Sequence, residues 1–433
     1  MPLSRYLKIY PCPDQPGLSL LYSTKQSSSA LVPDATLGAA CDGILSEADH
    51  AALLRLGFLA PELAAEQEQM RAIFITANQR LRTFNAIVVL NLDCNLACPY
   101  CYEDRFRGRH YMAANTADLL IETIQRDQID QGRDVKLSFY GGEPLLSLEL
   151  IKSVSLRLQQ AAAARGTKFS FSLVTNGTLL TRGLVEELVP LGFCGAKITL
   201  DGPRELHNQS RPFVSGKGSF DTIVNNIREV CDLVPLHLGG NYTRHNYRDF
   251  PLLLDYLLEQ GVTPDRIAAM LFAPVMPKSG ERAVTDFNGA CACSFEPWLT
   301  EASIFLREEP LKRGYHVPKL KLTSCMVEFA NDLVVNYDGS LYKCPAFMGY
   351  EHLRIGTLAD GIGDYRASHN LDVWKNEECL DCAYLPICFG GCRQMTLLRN
   401  GAIDEVDCRK GYYDAALERI VRQELQYQVQ KKI

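Results

Sequence analysis

What this 433-residue chain lacks narrows it first. No apolar run approaches the roughly eighteen residues of a membrane-spanning helix, so no membrane role is expected. The N-terminus, MPLSRYLKIYPCPDQ, has no apolar segment of the kind a secretory signal carries, and a cytoplasmic location is the expectation. There is no large excess of one charge. A net charge of −6 offers no basic surface for nucleic acid. At 47% hydrophobic and 22% charged residues the composition is that of an ordinary globular protein, long enough for two or three domains. Against this background stand sixteen cysteines. In a reducing compartment disulfides are disfavoured, and clustered thiols point to metal.

Residues 1–85 read as a small separate α+β unit. YLKIYPCP and LSLLYST suit two strands of a hairpin around the turn-rich DQPG. Ser46, with Asp49 three residues on, can cap the helix EADHAALLRLG, which Gly57 ends. Pro61 suits the first turn of a longer helix reaching about Arg82. This order resembles a small winged-helix module for peptide recognition. Simple packing against the main domain is the competing reading.

Over residues 86–300 strands and helices alternate. AIVVLNL, VKLSFYGGEP, FSFSLVTNG, AKITLDGP, LHLGGNYT and AAMLFAPV are strand candidates. Between them lie helical stretches such as TADLLIETIQRDQI and LIKSVSLRLQQAAAA. Such repetition implies a parallel sheet with right-handed crossovers. Six units predict an α/β fold with an incomplete (β/α)6 TIM-like barrel, whose chemistry sits at the C-terminal ends of the strands. Residues 301–433 carry few helical signals before YYDAALERIVRQELQYQVQKK, and are rich in cysteine and turn residues. A third domain that needs metal to fold is expected there.

The most informative stretch is NLDCNLACPYCYE. Cys94, Cys98 and Cys101 form a C-x-x-x-C-x-x-C loop with no fourth cysteine nearby. Zinc would prefer a second C-x-x-C or histidines at matched spacing, and the next candidates along the chain do not fit. Iron–sulfur clusters usually take four thiolates, so three leave one iron open to a small molecule. With aromatic Tyr100 before the last cysteine, the loop resembles the radical S-adenosylmethionine (SAM) superfamily. In GGEP, Gly141 and Gly142 let backbone approach a ligand, and Glu143 can accept from an ammonium. This resembles the superfamily motif that receives the methionine amino group. TNGTLL and TLDGP end the third and fourth strands, and HNQSRP follows with His207 and Arg211. The resemblance implies that Thr199 touches the ribose and Arg211 the methionine carboxylate. No catalytic residue of the chain itself is assigned.

The C-terminal cysteines are Cys325, Cys344, Cys379, Cys382, Cys388, Cys392 and Cys408, with Gly339 five residues before Cys344. Their order resembles the SPASM domain that follows some radical SAM barrels. It implies two auxiliary 4Fe–4S clusters, and so three in all. Cys379, Cys382, Cys388 and Cys408 would hold the outer cluster. Cys325, Cys344 and Cys392 would hold the inner one, with Cys291, Cys293 or an open iron as the fourth position. Cys12, Cys41, Cys194 and Cys231 are expected to be core thiols.

This branch of the superfamily mostly modifies peptides or protein side chains, and its members draw electrons from an external donor such as flavodoxin or ferredoxin. The favoured expectation is a maturase that installs a thioether or carbon–carbon cross-link in a ribosomal peptide. An anaerobic sulfatase-maturating, formylglycine-forming enzyme is the alternative. Those enzymes typically place Asp after the cysteine matching Cys344, where this chain has Pro345, which cannot take a proton. A multi-cluster electron carrier needs neither GGEP nor a barrel.

Overall fold

The computed structural model describes residues 1–101, 103, 106–276 and 296–429. It opens with β1 (Leu7–Pro11), β2 (Leu18–Ser23) and β3 (Ser28–Pro33), a three-stranded antiparallel sheet in the order β1-β2-β3. The expected hairpin is present, and β3 extends it. Four helices follow: α1 (Asp34–Asp42), α2 (Glu47–Arg55), α3 (Leu63–Arg71) and α4 (Ile73–Arg80). Ser46 caps α2 as expected, its side chain accepting from the Asp49 N–H. The single helix expected from Pro61 to Arg82 is instead broken at Ala72 (ψ −3°). No Gly or Pro marks that break. Tertiary packing sets it, since Met70 and Phe74 on either side bury against Trp374, Leu380 and Phe389.

The two faces of the small sheet have different partners. Leu21 and Val32 pack on Ala40, Leu53 and Phe58 of the local helices. Leu20 and Tyr22 pack on Tyr384, Ile387, Tyr413 and Leu417 from the end of the chain. The N-terminal unit is therefore clamped onto the cysteine-rich segment. Tyr6 Oη donates to Leu380 O at 3.3 Å, and Thr24 Oγ1 donates to Ala383 O at 2.6 Å.

The central unit alternates β4 (Thr83–Asn91), α5 (Ala114–Ile124), β5 (Asp134–Gly141), α6 (Leu148–Arg165), β6 (Phe169–Thr175), α7 (Arg182–Leu188), β7 (Phe193–Thr199), α8 (Arg204–Ser210), α9 (Phe220–Val230), β8 (Leu236–Tyr242), α10 (Phe250–Glu259) and β9 (Ala269–Pro274). Strands β4 to β9 are parallel neighbours in chain order. Helices cover one face only. Val88, Leu137, Phe139, Phe171, Leu173 and Ile198 of the strands pack there on Leu120, Ile151, Leu158, Val185 and Ile227 of the helices. The apolar positions of α9, Ile223, Val224, Ile227 and Val230, recur at helical spacing and are buried. Every crossover returns the chain to the same edge, so all the strands end at one rim.

A sixteen-residue helix not anticipated from the sequence, α11 (Pro297–Lys312), runs through residue 300. Pro310 lies inside it, and its buried positions are irregular, so no clean periodic signal marks it. The rest of the chain forms β10 (Asp332–Val335), β11 (Ser340–Tyr342), β12 (Gly356–Thr357), β13 (Gly361–Ile362), α12 (Glu377–Leu380), α13 (Arg393–Asn400) and α14 (Lys410–Val429). β10 joins the central sheet parallel to β4, with Asp332 opposite Asn85 and Val335 opposite Val88. Among the described residues the sheet thus has ten strands, in the order β13-β12-β11-β10-β4-β5-β6-β7-β8-β9. Among the described residues no helix is long and apolar enough to cross a membrane.

Candidate functional site

Each motif lies at the strand-end rim. The cysteine loop leaves β4 at Asn91, a fully buried side chain that donates to Glu143 O (3.1 Å) and Ser147 Oγ (2.8 Å). The loop is tied down along its length. Leu96 N–H reaches Cys94 Sγ at 3.5 Å, Ala97 N–H donates to Pro212 O at 2.8 Å, and Val214 N–H donates to Asn95 O at 3.0 Å. Arg107 donates to Cys94 O at 2.8 Å and also to Leu96 O. As a result Cys94, Cys98 and Cys101 line one pocket with Leu92, Leu96, Glu103, Arg107 and Gly142.

The pocket fits a metal–sulfur group in its donor set, three thiols lining one site. A Cβ on Gly142 would lie 2.1 Å from Asp93 O, so glycine there lets the GGEP turn pack against the cysteine loop. Buried Glu103 Oε1 has no hydrogen-bond partner among the described residues. Burial pushes the Cys94 and Cys98 thiols up, and that of Cys101 up to about 11, so bare thiols stay protonated and need a cation to become ligands.

GGEP follows β5, and Gly141 takes φ +132° with its missing Cβ only 2.1 Å from Asn91 O. Glu143 is fully buried and already engaged. Its oxygens accept from Leu145 N–H (3.0 Å), Thr175 Oγ1 (2.8 and 2.9 Å) and Asn176 N–H (2.8 Å). Desolvation raises its pKa, and these donors oppose the rise. The carboxylate therefore ties the end of β5 to the end of β6. Asn176, in the TNG motif, turns its amide to Asn95 Oδ1 (2.7 Å) and toward Cys94 Sγ (3.9 Å).

A second network joins Tyr100 to β7 and β8. Tyr100 Oη donates to Asp201 and accepts from Arg211 Nη1 (2.7 Å) and Asn241 Nδ2 (3.2 Å). Asp201 also accepts from the Asn241 N–H at 2.6 Å. Arg211 is largely enclosed, and its Nε has no partner among the described residues. His207 organises the turn behind it. Its Nδ1 accepts from Asp201 N–H at 3.1 Å, and Nε2 meets Ser219 Oγ at 3.0 Å. Since Ser219 donates to Arg211 O at 2.6 Å, the proton between Ser219 and His207 belongs to Nε2. Burial and then Arg211 push the His207 pKa down to about 3, so the ring is neutral. Thr199 ends β7, two residues before Asp201. Asp201, Asn241 and Ser219 were not singled out from sequence. Asp201 sits inside TLDGP and Asn241 inside LHLGGNYT, but only the fold brings them to Tyr100.

The C-terminal cysteines gather in two places. Cys379, Cys382, Cys388 and Cys408 line one cavity of 680 Å³ together with Lys8 of β1. Asn376 caps α12 there, accepting from Cys379 N–H at 2.9 Å and donating toward Cys379 Sγ at 3.5 Å. Cys325, Cys344 and Cys392 form the other group: burial raises the pKa of Cys344, and Cys325 and Cys392 are close enough to raise it further. Backbone N–H groups of Val327 and Arg393 point at Cys325, and that of Ala346 points at Cys344. Cys325 and Cys344 pack in the cluster of Val89 and Leu92, which lead into the first cysteine loop. Among the described residues no three His, Cys, Asp or Glu side chains converge on a point as around a single ion. Cys12 and Cys231 are buried as expected. Cys41 and Cys194 are exposed and are not core thiols. Cys291 and Cys293 lie outside the described residues.

Residues 88–257 match the family model of the radical SAM superfamily, so the chain carries a radical SAM domain. The superfamily implies a 4Fe–4S cluster and SAM. Among particular relatives, the cysteine-type anaerobic sulfatase-maturating enzyme of Clostridium novyi is 24% identical over 365 residues, covering 76% of this chain and 93% of that protein. The serine-type enzyme of Bacteroides thetaiotaomicron is 24% identical over 336 residues, covering 69% and 80%. Among solved structures, native anSMEcpe with bound AdoMet and the Cp18Cys peptide superposes with a TM-score of 0.63 at 21% identity, covering 79% of this chain and 99% of that one. Streptococcus suis SuiB bound to precursor peptide SuiA gives 0.54 at 14%, covering 94% and 98%.

Proposed function

We propose that the protein is a peptide maturase that removes a hydrogen atom from a side chain of a ribosomal peptide and installs a thioether or carbon–carbon cross-link. The observation that carries this reading is the N-terminal sheet. The SuiB likeness spans 94% of the chain, whereas the anSMEcpe likeness spans 79%. β3 is an outer strand, and its far edge can pair with an extended peptide through backbone hydrogen bonds. The division into a recognition unit at 1–85, a barrel at 86–300 and a SPASM-like domain at 301–433 belongs to this proposal. So does the assignment of two auxiliary 4Fe–4S clusters to the two C-terminal cysteine groups.

When bound, the cluster and SAM supply the one-electron chemistry that yields a 5′-deoxyadenosyl radical. The chain's own residues bind and orient. Cys94, Cys98 and Cys101 hold the cluster, Gly141 and Gly142 admit the methionine end, and Arg211 offers its guanidinium to the carboxylate. Tyr100, held through Asp201 and Asn241, walls the site, and positioning is the main protein contribution. An external flavodoxin- or ferredoxin-like donor supplies the electron.

The sulfatase-maturating reading rests on the relatives' names and alignments. Against it stands Pro345, which has no proton-accepting group beside Cys344. Mass spectrometry separates the two readings. The loaded, reduced enzyme is incubated with the peptide of a neighbouring short reading frame and, separately, with a sulfatase-derived peptide. A cross-linked product lacking two hydrogens in the first supports the maturase. A hydrazide-reactive aldehyde in the second, with the first unchanged, refutes it.

A further inference from the structure

The sheet face opposite the helices carries charge for which the radical chemistry has no use. Lys136 lies on β5 between Asn85 and Ser170, while Lys197 of β7 and His237 of β8 are direct partners in the parallel register. All three are exposed. The stem of Lys197 leans over β8, where a Cβ built on Gly239 would meet its Cε at 3.7 Å. Burial lowers the pKa of His237, and Lys197 and Lys136 lower it further, which places both ammonium groups within electrostatic reach of the ring. Among the described residues neither lysine has an ion-pair partner.

A cavity of 340 Å³ adjoins Lys136, lined by Asn85, Ser138 and Ser172 and by apolar Ile87, Met326 and Leu333; it does not extend to Lys197 or His237. Its one carboxylate, Asp332, already accepts from Asn85 Nδ2 at 3.0 Å and is offset by Lys343. The face therefore presents two lysines without ion-pair partners among hydrogen-bonding and apolar groups, while its carboxylates are engaged, Asp332 by Asn85 and Asp134, two residues before Lys136, by the Lys168 N–H at 2.8 Å. Bound charge of the opposite sign is the complement such a concave surface favours. The face also leads to the chemistry. Lys197 is two residues below Thr199, and Lys136 is five below Gly141, about 7 and about 17 Å along their strands.

We propose that this face holds an acidic stretch, bearing Asp or Glu side chains, of the peptide whose reacting residue lies at the strand-end rim. The inference rests on the peptide-maturase reading and adds a sequence preference to it. The partner's carboxylates pair with Lys136 and Lys197, and its backbone meets the serines and His237.

The test uses the full-length, cluster-loaded protein with fluorescein-labelled hexaglutamate and hexalysine, read by anisotropy at low ionic strength. Hexaglutamate is expected to bind at least about tenfold more tightly, with a preference that falls as salt is added. Lys136→Glu with Lys197→Glu should remove that preference. The same charge change at Lys152 and Lys312, on the outer helices α6 and α11, should leave it intact. A photoreactive hexaglutamate on the wild-type protein should attach to β5–β8, a result that needs no variant. Equal loss in both lysine pairs, or attachment elsewhere, overturns the proposal. Wild-type protein that cleaves SAM yet binds both hexapeptides alike refutes this surface and leaves the radical reading standing.

Discussion

Replacing Glu143 with alanine strips the acceptor from the tightest polar junction of the rim. In the wild type its two oxygens serve Leu145 N–H, Asn176 N–H and the Thr175 hydroxyl, all without solvent. The Thr175 hydroxyl can turn, and it still accepts from Gly177 N–H at 3.0 Å. The two backbone N–H groups cannot turn, and each buried orphan costs about 1–3 kcal/mol. The expected loss is therefore about 3–5 kcal/mol of local stability once the lost packing is included. Glu143→Gln should fall between wild type and Ala, because its amide must face at least one donor. Chemical denaturation followed by circular dichroism, on protein with and without cluster, measures the loss, and equilibrium dialysis measures SAM affinity. An alanine variant that denatures with the wild type, within about 0.5 kcal/mol, but loses SAM affinity would refute the reasoning. Glu143 would then act as the ammonium ligand that its motif suggests, and not as a brace between β5 and β6.

Three further outcomes are expected. His369 is fully buried, and desolvation followed by Lys343 depresses its pKa from 6.5 to about 4. The unfolded chain then binds more protons between these values. Stability is fully present above about pH 6.5 and falls by about 3 kcal/mol as pH drops through 4, a loss that His369→Leu should blunt in denaturation curves at pH 7 and pH 5. Changing Cys94, Cys98 and Cys101 to Ala should remove about four of about twelve irons from reconstituted protein, and changing Cys379, Cys382, Cys388 and Cys408 should remove a different four. Unchanged iron in either variant would disprove that ligand set. Phe74 meets Phe329, Trp374 and Phe389 edge-on at 5.4, 5.5 and 4.9 Å, so Phe74→Ala should cost about 3–5 kcal/mol and speed proteolysis near residue 380. Proteolysis at the wild-type rate would mean that the N-terminal unit does not brace the cysteine loop.

The parts of the fold that were legible in sequence are those where local chemistry and global fold agree. The run AIVVLNL became β4, Ser46 capped α2, and every motif fell at a strand end, because buried parallel strands and polar caps leave strong local patterns. The gathering of Cys379, Cys382, Cys388 and Cys408 in one place follows a spacing that is written in the chain. What was missed depends on distant partners. The break at Ala72 follows from packing on Trp374, and β10 is a four-residue strand made stable by β4. The hydroxyl of Tyr100 is fixed by Asp201 and Asn241, which lie 101 and 141 residues away. No local pattern encodes such a meeting. The exposure of Cys41 and Cys194 escaped for the opposite reason: an isolated thiol carries no sign of which way it points.

The pairing of β10 with β4 has a consequence for how the protein is made. β4 ends at Asn91, and β10 begins at Asp332, 241 residues later. At synthesis rates of about 5–20 residues per second, the edge of β4 waits roughly 12–50 s for its neighbour to leave the ribosome. During that interval a buried apolar strand, with Val88 and Val89 at its centre, presents unpaired backbone groups of the kind that recruit other chains. The cysteine-rich segment that shuts this edge also carries the seven cysteines proposed to hold auxiliary clusters. On that proposal a nascent chain starved of iron leaves this edge open as well as its cluster sites empty, so iron supply during growth should govern the yield of soluble protein.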